Sequence, residues 1–225
     1  MQNQTAKLEW RAGDVPVSTR FDDPYFSLEN GLAETRHVFL AGNDLPGRFH
    51  DGFHVAELGF GTGLNLLATL QAWRQGGQSG VLHYTSFEAY PMTADEMRRA
   101  QAVFSELNDI ARDLAPHWTD TPTAITLPDL HFTLVTGDAR QTLPVWTGQA
   151  DAWFLDGFSP AKNPELWGED LMQEVGRHTA PGGSAATYTA AGFVRRALAQ
   201  AGFEVIRVPG YGRKRHMTRA RKPMT

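Results

Sequence analysis

The 225-residue sequence contains no cysteine. That excludes disulfides, a thiolate nucleophile, iron–sulfur clusters and cysteine-ligated zinc. No apolar run reaches the ~18 residues that suggest a membrane span. The first ten residues, MQNQTAKLEW, lack the apolar core of a signal peptide. These absences predict a soluble cytoplasmic protein with no membrane partner. Acidic residues are missing from one stretch: residues 207–225 hold seven Lys and Arg and no Asp or Glu. Residues 1–206 hold 14 basic and 25 acidic residues, so the net charge of −4 combines an acidic body with a basic tail. The body repels a polyanion and the tail can attract one.

What is present is a globular composition, 41% hydrophobic with 22 glycines. The length fits one large domain or two small ones, and suffices to bury a core without staples. Residues 1–50 read as irregular, with a short helix at 31–39. From Phe53 strands and helices alternate. Strands are predicted at 53–58, 81–87, 131–136, 152–155 and 183–188. Helices are predicted at 64–74, 93–104 (Thr93 and Glu96 as a capping box), 139–143, 165–178 and 191–201. Residues 113–130 read as a loop or insertion, and 203–208 with 215–219 as a terminal antiparallel pair. This alternation predicts an α/β fold with a mostly parallel, doubly wound sheet. Ligands bind such sheets at the carboxyl ends of the strands.

Four motifs sit at those ends. The first is Glu57-Leu58-Gly59-Phe60-Gly61-Thr62-Gly63-Leu64-Asn65. Glycines allow a sharp turn and close approach of a ligand, although a bare strand–helix turn would use them too. Leu64 stands where a dinucleotide fingerprint needs glycine, which weighs against a nicotinamide enzyme. Glu88 ends the second strand, where a carboxylate can accept both ribose hydroxyls of an adenosine. Asp138 can accept an adenine amino group or simply cap the next helix. The fourth motif is Leu155-Asp156-Gly157-Phe158-Ser159-Pro160-Ala161-Lys162-Asn163-Pro164. It resembles the fourth motif of amino-methyltransferases, whose reaction, transfer of a methyl group from a sulfonium to an amine, is an in-line displacement governed by alignment. A carboxylate can accept an amine N–H, orient the nitrogen and stabilise the cation formed. Asp156 is placed to do so as the catalytic group. Phe158 can stack on a base or pack in the core. Lys162 can meet a phosphate or lie solvated.

Taken in order, the first three motifs match the S-adenosylmethionine site of class I methyltransferases. Longer stretches are more specific: 16–43, ELGFGTGLN (57–65), WFLDGFSPAKNPELW (153–167), 181–205 and GYGRKRHM (210–217). Together they resemble the tRNA wobble-uridine aminomethyl methyltransferases, which include the methyltransferase half of MnmC proteins and the stand-alone MnmD enzymes. The resemblance implies a class I, Rossmann-like fold with a mostly parallel seven-stranded sheet and an antiparallel last strand. Residues 1–50 would be an extension packed on a methyltransferase domain over 51–225, a single domain overall.

The implied reaction is N-methylation of 5-aminomethyl-(2-thio)uridine at the tRNA wobble position, giving 5-methylaminomethyl-(2-thio)uridine. S-adenosyl-L-methionine would be the cofactor, with no metal. No FAD is expected in this chain, because the oxidase half of fused members is missing. A separate enzyme would then supply the aminomethyl group. By the same resemblance Glu57, Gly59, Gly61, Gly63, Glu88, Asp138 and Asp156 line the cofactor or reaction site. Tyr25, Asn30, Gly31 and Glu34 would close over it, or else cap the sheet edge. Phe158, Lys162, Arg213, Lys214 and Arg215 would face the anticodon loop, the last three by neutralising phosphates. Two other readings stay open: another S-adenosyl enzyme, such as a small-molecule amine methyltransferase or aminopropyltransferase, and a catalytically silent RNA-binding module.

Overall fold

A computed structural model describes residues 5–27, 30–119 and 124–224. Residues 1–4, 28–29 and 120–123, which fall within the amino terminus, the 16–43 stretch and the 113–130 loop, lie outside the described residues. The amino-terminal region is more ordered than its composition predicts. Strands β1 (Leu8–Arg11), β2 (Val15–Ser18) and β3 (Asp23–Pro24) form a small antiparallel sheet. Such short strands, containing Pro16 and Pro24, carry too little alternation to be read from sequence. Helix α1 (Gly31–Thr35) then widens into a π turn at Arg36–Leu40, together covering the expected helix.

The main body follows the predicted alternation. It comprises β4 (His54–Leu58), α2 (Leu64–Gln75), β5 (Leu82–Glu88), α3 (Ala94–Gln101), α4 (Asn108–Leu114), β6 (Ala124–Leu127), β7 (Leu130–Thr136), α5 (Ala139–Thr142) and β8 (Ala150–Leu155). It continues through α6 (Glu169–Arg177), β9 (Thr179–Thr187), α7 (Gly192–Gln200), β10 (Glu204–Pro209) and β11 (His216–Arg221). Thr93 and Glu96 form the expected reciprocal capping box on α3. The helix expected over 165–178 is divided: a 3-10 turn at Pro164–Trp167, then Gly168, then α6.

The sheet runs β10-β11-β9-β8-β4-β5-β7-β6. Strands β9, β8, β4, β5 and β7 are mutually parallel, and β11 is antiparallel to both neighbours. The expected seven strands are there with an eighth added. Part of the 113–130 segment is β6, paired antiparallel with β7 at the edge. Strand order reverses at β4, between β5 and β8, so the carboxyl ends of these strands diverge around a crevice.

Period-2 alternation sends neighbouring strand residues to opposite faces. Val55 and Phe154 join one core with Leu66, Leu67 and Leu70 of α2. Ala56, Trp153 and Leu155 join the other with Leu171 of α6 and Val194 of α7. The first core also takes in Phe26, Leu32, Val38 and Phe39, so the amino-terminal region packs beside the carboxyl ends of the strands. Burial of each such side chain contributes roughly 1.5–3 kcal/mol.

Candidate functional site

A cavity of about 690 Å³ opens at these strand ends. That volume is in the ~300–1,000 Å³ range of small-molecule sites. Its floor is the turn from β4 into α2. Gly59 sits there at φ +87, and a Cβ would collide with the backbone carbonyl oxygen of Asp156. This glycine is therefore required by the contact between the β4 and β8 ends, before any ligand is considered. Gly61 has Tyr25 against it, with 3.1 Å between a built Cβ and the ring.

Three carboxyl groups gather around this turn. Glu88, at the end of β5, accepts the Gly61 N–H at 3.0 Å and the Tyr90 N–H at 2.8 Å. It thereby ties the glycine turn to the next strand. Burial raises its pKa despite these hydrogen bonds. Glu57 points into the core beneath the first turn of α2 and is fully buried. Its Oε1 accepts from Asn65 at 2.8 Å and its Oε2 from Ser86 at 2.7 Å. Burial lifts its pKa to about 8. Asp156 follows β8 and lines the cavity. Its Oδ2 accepts from the same Asn65 nitrogen at 2.8 Å, and burial lifts its pKa to about 7. The nearby Lys214 ammonium opposes that rise and Glu34 adds to it.

Two remote segments close over the cavity. Lys214, in the loop between β10 and β11, pairs with Glu34 of α1 at 2.7 Å. Its ammonium also lies 4.0 Å from the centre of the Tyr188 ring. The Tyr188 hydroxyl donates to the Gly157 carbonyl at 2.6 Å, fixing the loop after Asp156. From the other side, Phe21 stacks on Phe158 at 4.7 Å and Tyr25 meets the same ring edge-on at 5.0 Å. The resulting wall is aromatic and sheds water.

The structure thus brings Tyr25, Gly31, Glu34, Gly59, Gly61, Glu88, Asp138, Asp156, Phe158, Arg213 and Lys214 of the sequence-predicted residues to one cavity. Five others lie outside its wall. Glu57 stands behind Asn65, in the core. Gly63 caps α2 beneath Phe60. Asn30 is exposed and caps α1, accepting the Ala33 N–H at 2.9 Å. Lys162 bonds the carbonyl and carboxylate of Asp22, so it staples the Asp156 loop to the amino-terminal region. Arg215 is exposed beyond the rim.

Asp138 and Phe158, in the wall, are also engaged by neighbouring side chains. Asp138 caps α5 and pairs with Arg140 at 2.6 Å, which lowers its pKa. Phe158 has Phe21 stacked against it. Sequence reasoning missed Asn65, Thr35, Tyr188 and Phe21. Asn65 did leave a signal: an amide in the first turn of α2, among buried leucines.

The site suits an adenosyl sulfonium. Glu88 offers acceptor oxygens for hydroxyl groups, the aromatic wall excludes water, and Glu34, Glu88 and Asp156 supply acceptors for a cation. Among the described residues no group of three or more His, Asp or Glu could hold a metal ion. No described helix is long and apolar enough to cross a membrane.

The chain is 49% identical, over 99% of its length, to the tRNA 5-methylaminomethyl-2-thiouridine biosynthesis bifunctional protein MnmC of Caulobacter sp. (strain K31). It is 44% identical, over 94% of its length, to the protein of that name from Aeromonas hydrophila subsp. hydrophila. It spans only 39% and 34% of those relatives. MnmC2 from Aquifex aeolicus, a crystal structure, superimposes with a TM-score of 0.79, covering 100% of this chain and 72% of that one. At 23% identity this establishes a shared fold. A family model described as S-adenosyl-L-methionine-dependent methyltransferase matches residues 105–223, more than half of the chain. The chain belongs to the S-adenosyl-L-methionine-dependent methyltransferase family.

Proposed function

We propose that this protein methylates the primary amine of 5-aminomethyl-(2-thio)uridine at the wobble position of tRNA, giving 5-methylaminomethyl-(2-thio)uridine. The observation that carries the reading is Asp156, a partly buried carboxyl just after β8, beside Glu34 and Tyr188 and under an aromatic wall. Such a place suits a cation-forming amine. The names of the MnmC relatives support tRNA as the carrier of that amine.

S-adenosylmethionine, when bound, supplies an electrophilic methyl group. The Gly59–Gly61 turn gives the backbone clearance for it, and Glu88 accepts hydroxyl hydrogens of a ribose. Asp138, at the rim, exchanges part of its pairing with Arg140 for an amino group and keeps its capping role. Asp156 accepts an N–H of the incoming amine, aims its lone pair and stabilises the positive charge as it forms. Phe21, Tyr25 and Phe158 exclude water from the reacting atoms. Arg213 at the rim and Arg215 beyond it meet phosphates of the anticodon loop. Residues 1–50 act as an extension that closes the site of the 51–225 methyltransferase domain. The protein works in the cytoplasm, on tRNA that already carries the aminomethyl group.

The test uses labelled cofactor with tRNA carrying 5-aminomethyluridine, and the same tRNA without the aminomethyl group. Label in 5-methylaminomethyluridine from the first substrate alone is the expected result. Label on a free small amine, with none on the tRNA, would overturn the reading in favour of a small-molecule methyltransferase.

A further inference from the structure

Asn65 closes the glycine-turn motif and lies in the first turn of α2. Its amide has one acceptor end and one donor end with two hydrogens. The donor nitrogen lies 2.8 Å from Glu57 Oε1 and 2.8 Å from Asp156 Oδ2, one hydrogen for each carboxyl. The acceptor end takes the Thr35 hydroxyl at 2.9 Å. Thr35 is the last residue of α1, thirty positions away in the amino-terminal region. Asn65 and Thr35 are both buried. Were the amide reversed, its oxygen would face two carboxyl groups and its nitrogen the hydroxyl. The Thr35 hydrogen bond stabilises the orientation seen.

We propose that Asn65 is a positioning residue for Asp156, and that Thr35 sets the direction in which Asn65 points. Glu57, held on both oxygens by Asn65 and Ser86, is the fixed post of this arrangement. Asn65 fastens Asp156 to it, so the carboxyl that meets the amine cannot swing away. The amino-terminal region is thereby wired to the reacting carboxyl through one hydroxyl and one amide. Asp156 also feels Glu34 from α1, Tyr84 from β5, Tyr188 after β9 and Lys214 from the β10–β11 loop. None of these takes part in the Thr35–Asn65 hydrogen bond. The proposal rests on the reading of Asp156 as the carboxyl that faces the amine.

Its test is a carboxyl ¹³C titration of the ligand-free protein labelled at aspartate, with the Asp156 signal assigned by Asp156→Asn. Hydrogen bonds to a carboxylate favour its charged form. Asn65→Leu should therefore move the Asp156 midpoint to higher pH, by about one unit. Thr35→Val should move it in the same direction by less, and Thr35→Ser, which keeps the hydroxyl, should recover it. The acid limb of the single-turnover pH profile should shift with the midpoint, slowing transfer about tenfold on that limb for each unit. If Asn65→Leu does not fold, Thr35→Val, a nearly isosteric exchange, carries the test. An unmoved midpoint, with rates lowered equally at every pH, would overturn the proposal. If Asp156→Asn transfers methyl at the normal rate, the reading of Asp156 fails instead, and the titration still reports whether Asn65 holds it.

Discussion

Strands β4, β5 and β7 have opposite chemistry at their two ends. At the amino ends, His54, His83 and His131 stand in register across the three strands, with ring centres 5.7 and 5.1 Å apart. Near the carboxyl ends lie Glu57 and Glu88, with Asp156 beyond the adjoining β8. Burial, reinforced by His83, depresses the His54 pKa to about 4. Burial raises Glu57 to about 8 and Asp156 to about 7. One cause acts in both places: a poorly solvated sheet disfavours charge, so the base loses its proton and the acids keep theirs. The difference is what each end borders. The acid end opens on the cavity, where an arriving cation can restore the carboxylate charge. The histidine end packs against Trp146 and the Thr85 hydroxyl. Burial alone therefore does not mark a site; burial beside a cavity does.

The most disruptive substitution falls at the turn that joins the acid ends. Gly59→Ala forces a side chain into a left-handed conformation and against the Asp156 carbonyl. It should cost about 3 kcal/mol or more of stability, measured by denaturant unfolding. A fully stable variant would mean that the β4 and β8 ends do not meet as described.

A second experiment sets the two ends against each other. A histidine whose folded pKa lies below its unfolded value binds more protons when unfolded, so its contribution is lost as pH falls from about 6.5 toward 4. Relative to His54→Gln, the wild type should lose about 3 kcal/mol across that window. For Glu57 the folded pKa lies above the unfolded one. Relative to Glu57→Gln, the wild type should lose stability as pH rises from 4.5 toward 8. Unfolding curves at several pH values check both slopes. Slopes of the same sign would contradict a common cause.

The smallest expected effect is at the rim. The double variant Arg213→Ala, Arg215→Ala should weaken tRNA binding several-fold and reduce the steepness of its salt dependence. About 0.7 of slope is lost for each single-strand phosphate contact removed. An unchanged slope would take this loop out of the RNA interface.

The sequence was informative where local chemistry decides structure. The apolar runs of β4, β5 and β8, the Thr93–Glu96 capping box and the glycine turn are all short-range patterns, and each lies where it was expected. The acidic residues after the strands, Glu88, Asp138 and Asp156, were legible for the same reason, because a doubly wound sheet directs its strand ends to one crevice. Pairings across long separations left no such trace. Thr35 meets Asn65 across 30 positions, and Lys214 meets Glu34 across 180. Lys214 and Lys162 read as cations for a nucleic acid. In the folded chain each pairs first with an acid of the amino-terminal region, because folding brings that region over the strand ends. Glu57 read as a cofactor ligand from its place before the glycines. Strand alternation instead turns it inward, under α2.

The role proposed for Asp156 is on the amine and not on the cofactor. Single-turnover methyl transfer to 5-aminomethyluridine tRNA, with cofactor affinity measured in parallel on the same Asp156→Ala protein, tests it most directly. The expected result is a transfer rate lowered about 10²–10⁴-fold with cofactor affinity changed far less. A wild-type rate, or a loss confined to cofactor affinity, would contradict it.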